Sequence, residues 1–558
     1  MLPPVNRSFL RNRHRLAPLA LLGALTFGSA CNKDEPAKQA DSKPADSKGK
    51  SGDSDSKSPL PSGPVANPTD SPAIAEVGEV IATVQLPSGT NMTDVAAVID
   101  SMQPGASAML KMQLPTALEG AAGFDIAKSA KLDGPLSFVI LNPASHPEPL
   151  AMLVEAKDAA ALAADAKAAG HAVEQRDNLL LIGPEGVVNA AKDFAFTNLT
   201  KYPDHSEIIV YPKLLIGTFA GEIEKNMAAS MALLGGNEGV GQMMTNYFKG
   251  LVSLGEQTDR MVLSLGTGPG SADLIVRIYP IAGSSLASFI EAQVPSQHAL
   301  LGKLPAGGGT IVMSGDMRAG GARDALLNFG VAVMAPMYPA ISADQLRDMF
   351  KPWLDNFDGG FAMNMSMSVV EGKAPSMQLQ ALWGVNDPEA MRTAWRELLK
   401  LTDGTGMEMM GMKFVSSHKP DALTHDGVTV DLYESKVDTS ALPPDQAAAV
   451  AQAASTSQSM YFATFDKLAA MATADADGKA IGAVIDAARG KGGALEISGG
   501  FAEVLDASKQ RGDSMLMYFD LGAFTAQAPT AVQMPFKAMS WGVGKHEGAL
   551  SLRVGLIK

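Results

Sequence analysis

The strongest constraint on how this chain can fold is a pattern that occurs twice. Between Leu132 and Gly170 come an apolar run (Leu136 to Leu141), a polar Pro-bearing loop, a second apolar run (Leu150 to Val154) and an Ala-rich stretch opened by Asp158. Short apolar runs bounded by turn residues read as paired strands, and an Asp ahead of an Ala-rich stretch reads as a capped helix. The order returns near Phe357. There Phe361, Met363, Met365 and Met367 alternate with Ala362, Asn364, Ser366 and Ser368, and Met377, Leu379, Ala381 and Trp383 line one face of a partner strand. Asp387 and Pro388 open the helix behind it, whose apolar stripe is Met391, Trp395, Leu398 and Leu399. Gly134 and Gly359 take matching places ahead of the two units.

Other landmarks recur in the same order. GEVIATVQLP in the first part answers to GGGTIVMSGDM in the second, NLLLIG near Leu179 to MYFATF near Met460, and IIVYPKLLIGTF to MLMYFDLGAF. Each part closes on a Gly-centred strand pair, with Arg277 in one final strand and Arg553 in the other. Strands that come in pairs without an intervening helix argue against a doubly wound parallel sheet. At 558 residues the chain is longer than one core usually serves. The expectation is therefore an α+β fold of two tandem related halves, residues 72–300 and 301–558, each a mainly antiparallel sheet with helices packed on one side.

Residues 1–30 read as a signal peptide. Arg7, Arg11, Arg13 and Arg15 form a basic start, and Leu16 to Phe27 form a short apolar core ending in Gly28, Ser29 and Ala30. Cys31, the lone cysteine, follows directly, so the segment resembles a bacterial lipobox, with Gly28 where an aliphatic residue is usual. That resemblance implies a lipidated Cys31 at the mature N-terminus. Residues 31–71 are rich in Lys, Asp, Ser, Pro, Gly and Ala, and read as a disordered tether between anchor and body. The expected location is the bacterial cell envelope, lipid-anchored, with the outer membrane favoured. The long uncharged run Ala325 to Ala343 contains Pro336 and Pro339, which argue against a membrane span. The duplicated units resemble an uncharacterised family of exported bacterial proteins, many of them predicted lipoproteins. That resemblance brings no assigned active site.

Composition narrows the function classes. With 45 basic against 59 acidic residues the net charge is −14, which lacks the basic surface a nucleic-acid partner needs. One cysteine excludes an intramolecular disulfide and a thiolate zinc cage. Ser416 and Lys419 have SxxK spacing, but sit in what reads as a strand entering a Pro loop. Asp475, Asp477 and Gly478 are similar to a calcium loop, yet Thr473 occupies the first ligand position and Val484 the position that needs a bidentate Glu. His418 and His425 flank a loop without carboxylates at ligand spacing. The Gly-rich stretches lack the phosphate-binding form. No metal and no cofactor are expected.

Methionine is the unusual component, at 31 residues. Met407, Met409, Met410 and Met412 raise the possibility of Cu(I) on soft thioethers, against which stand adaptable core packing and an apolar ligand surface. Segments such as Met227 to Leu234, Met243 to Leu254 and Met334 to Tyr338 could line a groove for an acyl chain. The leading expectation is a membrane-tethered, non-enzymatic binding or scaffold module with an envelope protein or a hydrophobic ligand as partner. A carrier of lipid or another hydrophobic ligand is the second reading, and a cryptic hydrolase the third.

Overall fold

The computed structural model describes residues 71–88, 118–200, 205–219, 251–317, 342–368, 376–402, 407–438, 458–525 and 536–557, apart from 121, 269, 270, 308, 410 and 411, together with a few single positions between these ranges. Among the described residues, nineteen strands form one sheet. In chain order they are β1 (Val80–Leu86), β2 (Leu136–Leu141), β3 (Leu150–Glu155), β4 (Ala172–Arg176), β5 (Leu179–Gly183), β6 (Glu207–Val210), β7 (Thr258–Gly268), β8 (Ser271–Pro280), β9 (Ile311–Asp316) and β10 (Phe357–Ser368). They continue as β11 (Ser376–Val385), β12 (Met407–Met409), β13 (Met412–His425), β14 (Val428–Asp438), β15 (Gln458–Phe465), β16 (Leu468–Thr473), β17 (Met515–Asp520), β18 (Ala538–His546) and β19 (Ala549–Ile557).

Every pairing is antiparallel, and the pairings trace a single path: β4, β5, β3, β2, β1, β6, β7, β8, β19, β18, β17, β9, β10, β11, β16, β15, β14, β13, β12. The last strand of the chain joins the sheet in the middle of this path, where β19 pairs with β8 from Ser271↔Ile557 to Ile278↔Leu550. The sheet is thus shared by the N-terminal and C-terminal strands instead of being closed off in each.

Turn chemistry explains several of the hairpins. β4 and β5 are joined by Asp177 and Asn178, β15 and β16 by Asp466 and Lys467, and β18 and β19 by Glu547 and Gly548. Asp177, Asp466, Lys467, Glu547 and Gly548 all take positive φ, as two-residue hairpin turns of the primed types require. β13 runs on past Pro420, which the sequence reading placed in a loop. The ladder is irregular between Lys419 and Leu423, Asp421 sits at φ 51°, and the described pairing of β13 with β12 stops at Phe414. A bulge on a stretch with no second strand partner among the described residues absorbs the missing proline N–H.

Helices lie on both faces of the sheet, which corrects the expectation of one-sided packing. In the N-terminal part, α1 (Ala159–Ala168) buries Leu162 and Ala166 against Phe138, Met152, Val154 and Leu180. α2 (Glu185–Asn198) buries Val187, Val188, Ala191 and Ala195 against Val139, Leu153 and Leu181 on the opposite face. In the C-terminal part, α4 (Ala343–Asn356) and α5 (Pro388–Thr402) join Phe357, Ala381, Trp383 and Phe462 on one side, between β8 and these helices in sequence lying the short α3 (Ser285–Glu291). α6 (Lys479–Ala488) and α7 (Gly499–Arg511) join Val312, Ala362, Leu382, Ala470 and Leu516 on the other. The signal for two-sided cover is the sequence of the strands themselves: all six residues of β2 and all seven of β1 are buried, as in strands covered on both faces.

Several helices are capped by side chains. Asp158 accepts from the Ala161 N–H at 3.0 Å, and Asp387 accepts from Glu389 and Ala390 at 2.9 and 3.1 Å. Ser342 and Gln345 close a reciprocal capping box on α4. Each such cap satisfies N–H groups that the helix cannot, worth about 1 kcal/mol.

Candidate ligand-binding face

The middle of the sheet carries a row of apolar side chains that the strand register places on one face. Met363 of β10 stands opposite Met313 of β9, Met313 opposite Met517 of β17, and Met517 opposite Trp541 of β18. The row continues through Val554 of β19 and Leu274 of β8 to Leu265 of β7. One step along, Met365, Ile311, Phe519, Met539 and Leu556 form a parallel row, and on the other side Phe361, Gly315, Met515, Val543, Leu552, Val276 and Leu263 form a third. Directly opposed residues of an antiparallel pair share a face with Cβ atoms about 5 Å apart, so these rows make one continuous apolar surface.

This surface is half-buried where cores are normally sealed. Met313, Met363, Met365, Met515, Met517, Met539 and Trp541 are all partly exposed, and Leu274 reaches 37% exposure. Its two flanks are tied into buried clusters. At one, α3 seats Leu286 and Ile290 against Ile278, Leu550, Val276 and Leu552; at the other, α4 and α5 gather Phe361 and Met363 with Trp353, Trp383 and Trp395. The middle residues Ile311, Met313, Met517, Met539, Trp541, Val554 and Leu556 belong to none of the buried clusters of the described residues. At its rim α8 (Leu521–Thr525) sets Phe524 against Phe519, ring centroids 5.5 Å apart. Unbranched thioether side chains and aromatic rings here can re-pack around an apolar guest without a fixed shape. An open groove of about 570 Å³ lies nearby between α4 and α5, lined by Met349, Pro352, Ala394 and Leu398.

The residues weighed from sequence for lipidation, catalysis or metal binding fall elsewhere. Cys31 and Met410 lie outside the described residues, as do segments 227–234 and 334–338, while Leu327 and Val331 of the run Ala325 to Ala343 are buried. Met407 and Met409 are in β12 and Met412 opens β13, with Met409 opposite Met412 in register. Ser416 and Lys419 are three apart on a strand and so point to opposite faces, which removes the SxxK geometry. Ser416 shares a hydrogen bond with the Tyr433 hydroxyl at 2.7 Å, and Lys419 pairs with Glu434 at 2.8 Å. Asp475 accepts from the Ala480 N–H, Asp477 pairs with Lys479, and Gly478 takes φ 68°, so this segment caps α6.

Two polar clusters were not legible in the sequence. In one, the buried Asp431 receives Arg396 at 2.7 Å and the Asp421 N–H at 2.9 Å, with His418 at 3.4 Å. Burial alone would raise the Asp431 pKa, but the hydrogen bonds from Arg396 and Asp421 outweigh it and the net shift is downward. This cluster fastens α5 to β13 and β14. The other is a cleft of about 220 Å³ at the ends of β9, β10 and β11, lined by Asp316, Asp358, Asp466, Lys303 and Lys467 among others. Its carboxylates are already engaged: Asp316 accepts from Ser296, Asp358 from the Gly360 N–H, and Asp466 from Arg489. Among the described residues no group of three or more His, Cys, Asp or Glu is arranged to hold a metal. No described helix is long and apolar enough to cross a membrane.

Comparison with known proteins finds no match for this chain among family models, curated proteins or solved structures.

Proposed function

We propose that the protein is a lipid-anchored binding module of the bacterial envelope whose methionine-rich sheet face holds a hydrophobic ligand, an acyl chain. The observation that carries the reading is the continuous, half-exposed apolar surface from Leu265 to Met363, bounded by α3 at one flank and α4 with α5 at the other. Large contiguous apolar surfaces are unusual on soluble domains and mark sites that bind something apolar. The flexible thioethers favour a ligand without fixed shape. The function is non-enzymatic in this account. The envelope location rests on the signal-like residues 1–30, Cys31 and the polar tether.

The anchor is tested by metabolic labelling: the wild-type chain incorporates fatty acid and enters the detergent phase, and Cys31→Ser does neither. Equal labelling of both forms removes the anchor from the account. Diacyl and amide-linked chains together would hold the protein stably, since one chain alone gives marginal membrane affinity.

The two halves are read as products of a tandem duplication. Support comes from strand order, because reading outward from the β8/β19 junction gives β7, β6, β1, β2, β3, β5, β4 on one side and β18, β17, β9, β10, β11, β16, β15 on the other. Counting from the two-residue turns after Arg176 and Phe465, the register sets Leu179 against Leu468, Val154 against Trp383 and Leu136 against Phe361. Gly134 then answers to Gly359, each two residues further out. The two-residue turns after Gly268 and His546 match Arg277 to Gly555, so Arg553 is an independent arginine that answers to Ile275. β12, β13 and β14 extend the second half only. An experimental structure in which β2 and β10 have different sheet neighbours would refute the duplication.

A further inference from the structure

We infer that the middle of the methionine face is a reversible oxidation site through which an envelope oxidant of the hypochlorous acid class releases the bound acyl chain. The inference rests on the ligand reading above for its consequence, and on the geometry of the methionines for its chemistry. Met517, Met313 and Met363 form an in-register row across three adjacent strands, and Met515, Met365 and Met539 flank it. All six are partly exposed, whereas Met391 in α5 is fully buried and Met152 in β3 nearly so. Thioether oxidation follows access, so an oxidant should reach the row before those core methionines.

The chemistry balances without a cofactor. The thioether sulfur takes the oxygen of hypochlorous acid and becomes a sulfoxide, losing two electrons. Chlorine gains those two electrons and leaves as chloride, with one proton released. Each event converts a flexible apolar side chain into a polar, chiral one, and methionine sulfoxide reductases reverse it. Because the three side chains share one face in register, with Met517 opposite Trp541, oxidation at any of them sets a polar S=O into the apolar surface. Nothing in the row offers it a hydrogen-bond donor except the Trp541 indole N–H, so a bound acyl chain would face an unsatisfied acceptor.

The test uses full-length Cys31→Ser chain, a pyrene-labelled fatty acid as probe, and limiting hypochlorous acid followed by peptide mass spectrometry. Met313, Met363 and Met517 are expected to gain one oxygen well before Met391, with the half-exposed Met377 as the fast reference. Probe affinity should fall at least tenfold on oxidation and recover after treatment with both stereospecific sulfoxide reductases. In the variant carrying Met313→Leu, Met363→Leu and Met517→Leu, whatever probe affinity the untreated protein has should fall less on oxidation than it does in the wild type. The proposal is overturned if these methionines oxidise no faster than Met391. It is equally overturned if the untreated protein binds probe and the oxidised protein binds it unchanged. Should the untreated protein bind no probe at all, the ligand reading fails, and the oxidation order by itself decides whether the row is a modification site.

Discussion

On β7, β8, β19, β18, β17 and β9 the two faces of the sheet differ in chemistry and are shielded to different degrees. One face presents Leu263, Leu274, Val554, Trp541, Met517 and Met313, all partly exposed. The other is mixed: Ser264, Arg277, Ser551, Gly542, Ser514 and Ser314, all but Ser551 buried, share it with the buried Val262, Ile275, Leu516 and Val312. The polar face continues into β6, β1 and β2, where Glu207, Gln85 and Ser137 stand in register with Ser264 and are shielded almost completely. Burying polar groups is unfavourable unless each finds partners, so such a face demands a specific arrangement. The tight packing bears this out: a Cβ at Gly542 would meet the Asp513 carboxylate, and one at Gly555 the Ser540 hydroxyl and Asp273. An apolar face has no such demand. It can stay open, adapt and accept a guest, which is why the proposed ligand is placed on that side and a structural role on the other.

The largest effect is expected on the polar face. Arg277 is the bulkiest fully buried side chain among the described residues, and Arg277→Ala should destabilise the protein by about 3 to 5 kcal/mol in urea unfolding, because it leaves the groups around a buried charge without it. A loss below about 1 kcal/mol would mean that this face is loosely organised and the contrast between faces is false.

Acid should act next, again through the polar side. His298 is buried beside Ser296 and Ser508, and burial foremost, then the charge of Lys509, hold its pKa below the usual 6.5. A base whose folded value is depressed contributes stability that is complete above its unfolded value and lost as pH falls through 6.5 towards the folded value. Thermal unfolding followed from pH 7.5 down to about 5 should show that loss. His298→Asn should flatten it, and an unchanged profile would place the acid sensitivity elsewhere.

The smallest effect belongs to the methionine face. Met313→Leu or Met517→Leu keeps volume and polarity, and is expected to change stability by less than about 1.5 kcal/mol. A larger loss in chemical denaturation would make this face a sealed core and close the ligand reading.

How much of this could be read from the sequence depends on how local the information is. The units Leu136 to Val154 and Phe361 to Trp383 form the hairpins that their apolar runs predict, followed by helices capped by Asp158 and Asp387 as read. What failed was the match between the strands near Leu179 and Met460. In the sheet β5 neighbours β3 as β16 neighbours β11, so the Met460 strand answers to β4. β4 reads AVEQR, half-buried or exposed throughout, and its lack of an apolar run hid it. The join of β8 to β19 involves residues far apart in the chain, and no local pattern announces it. The methionine face was hidden for the same reason. Met313, Met363, Met517 and Trp541 come from four strands, and only the register assembles them, whereas the locally dense Met407, Met409 and Met412 lie where β12 and β13 pair at one end of the sheet.

The account stands most directly on native mass spectrometry of the full chain extracted gently from its own envelope, compared with the double variant Met313→Gln and Met517→Gln. The wild type should carry a stoichiometric lipid mass beyond the one attached at Cys31. The variant should unfold at a similar temperature yet carry that extra lipid at no more than about a tenth of the wild-type occupancy, since the two amides would have to be desolvated against an acyl chain. A wild type that carries only its anchor, or a variant that retains the extra lipid in full, would contradict the claim that this face is where the protein binds its ligand.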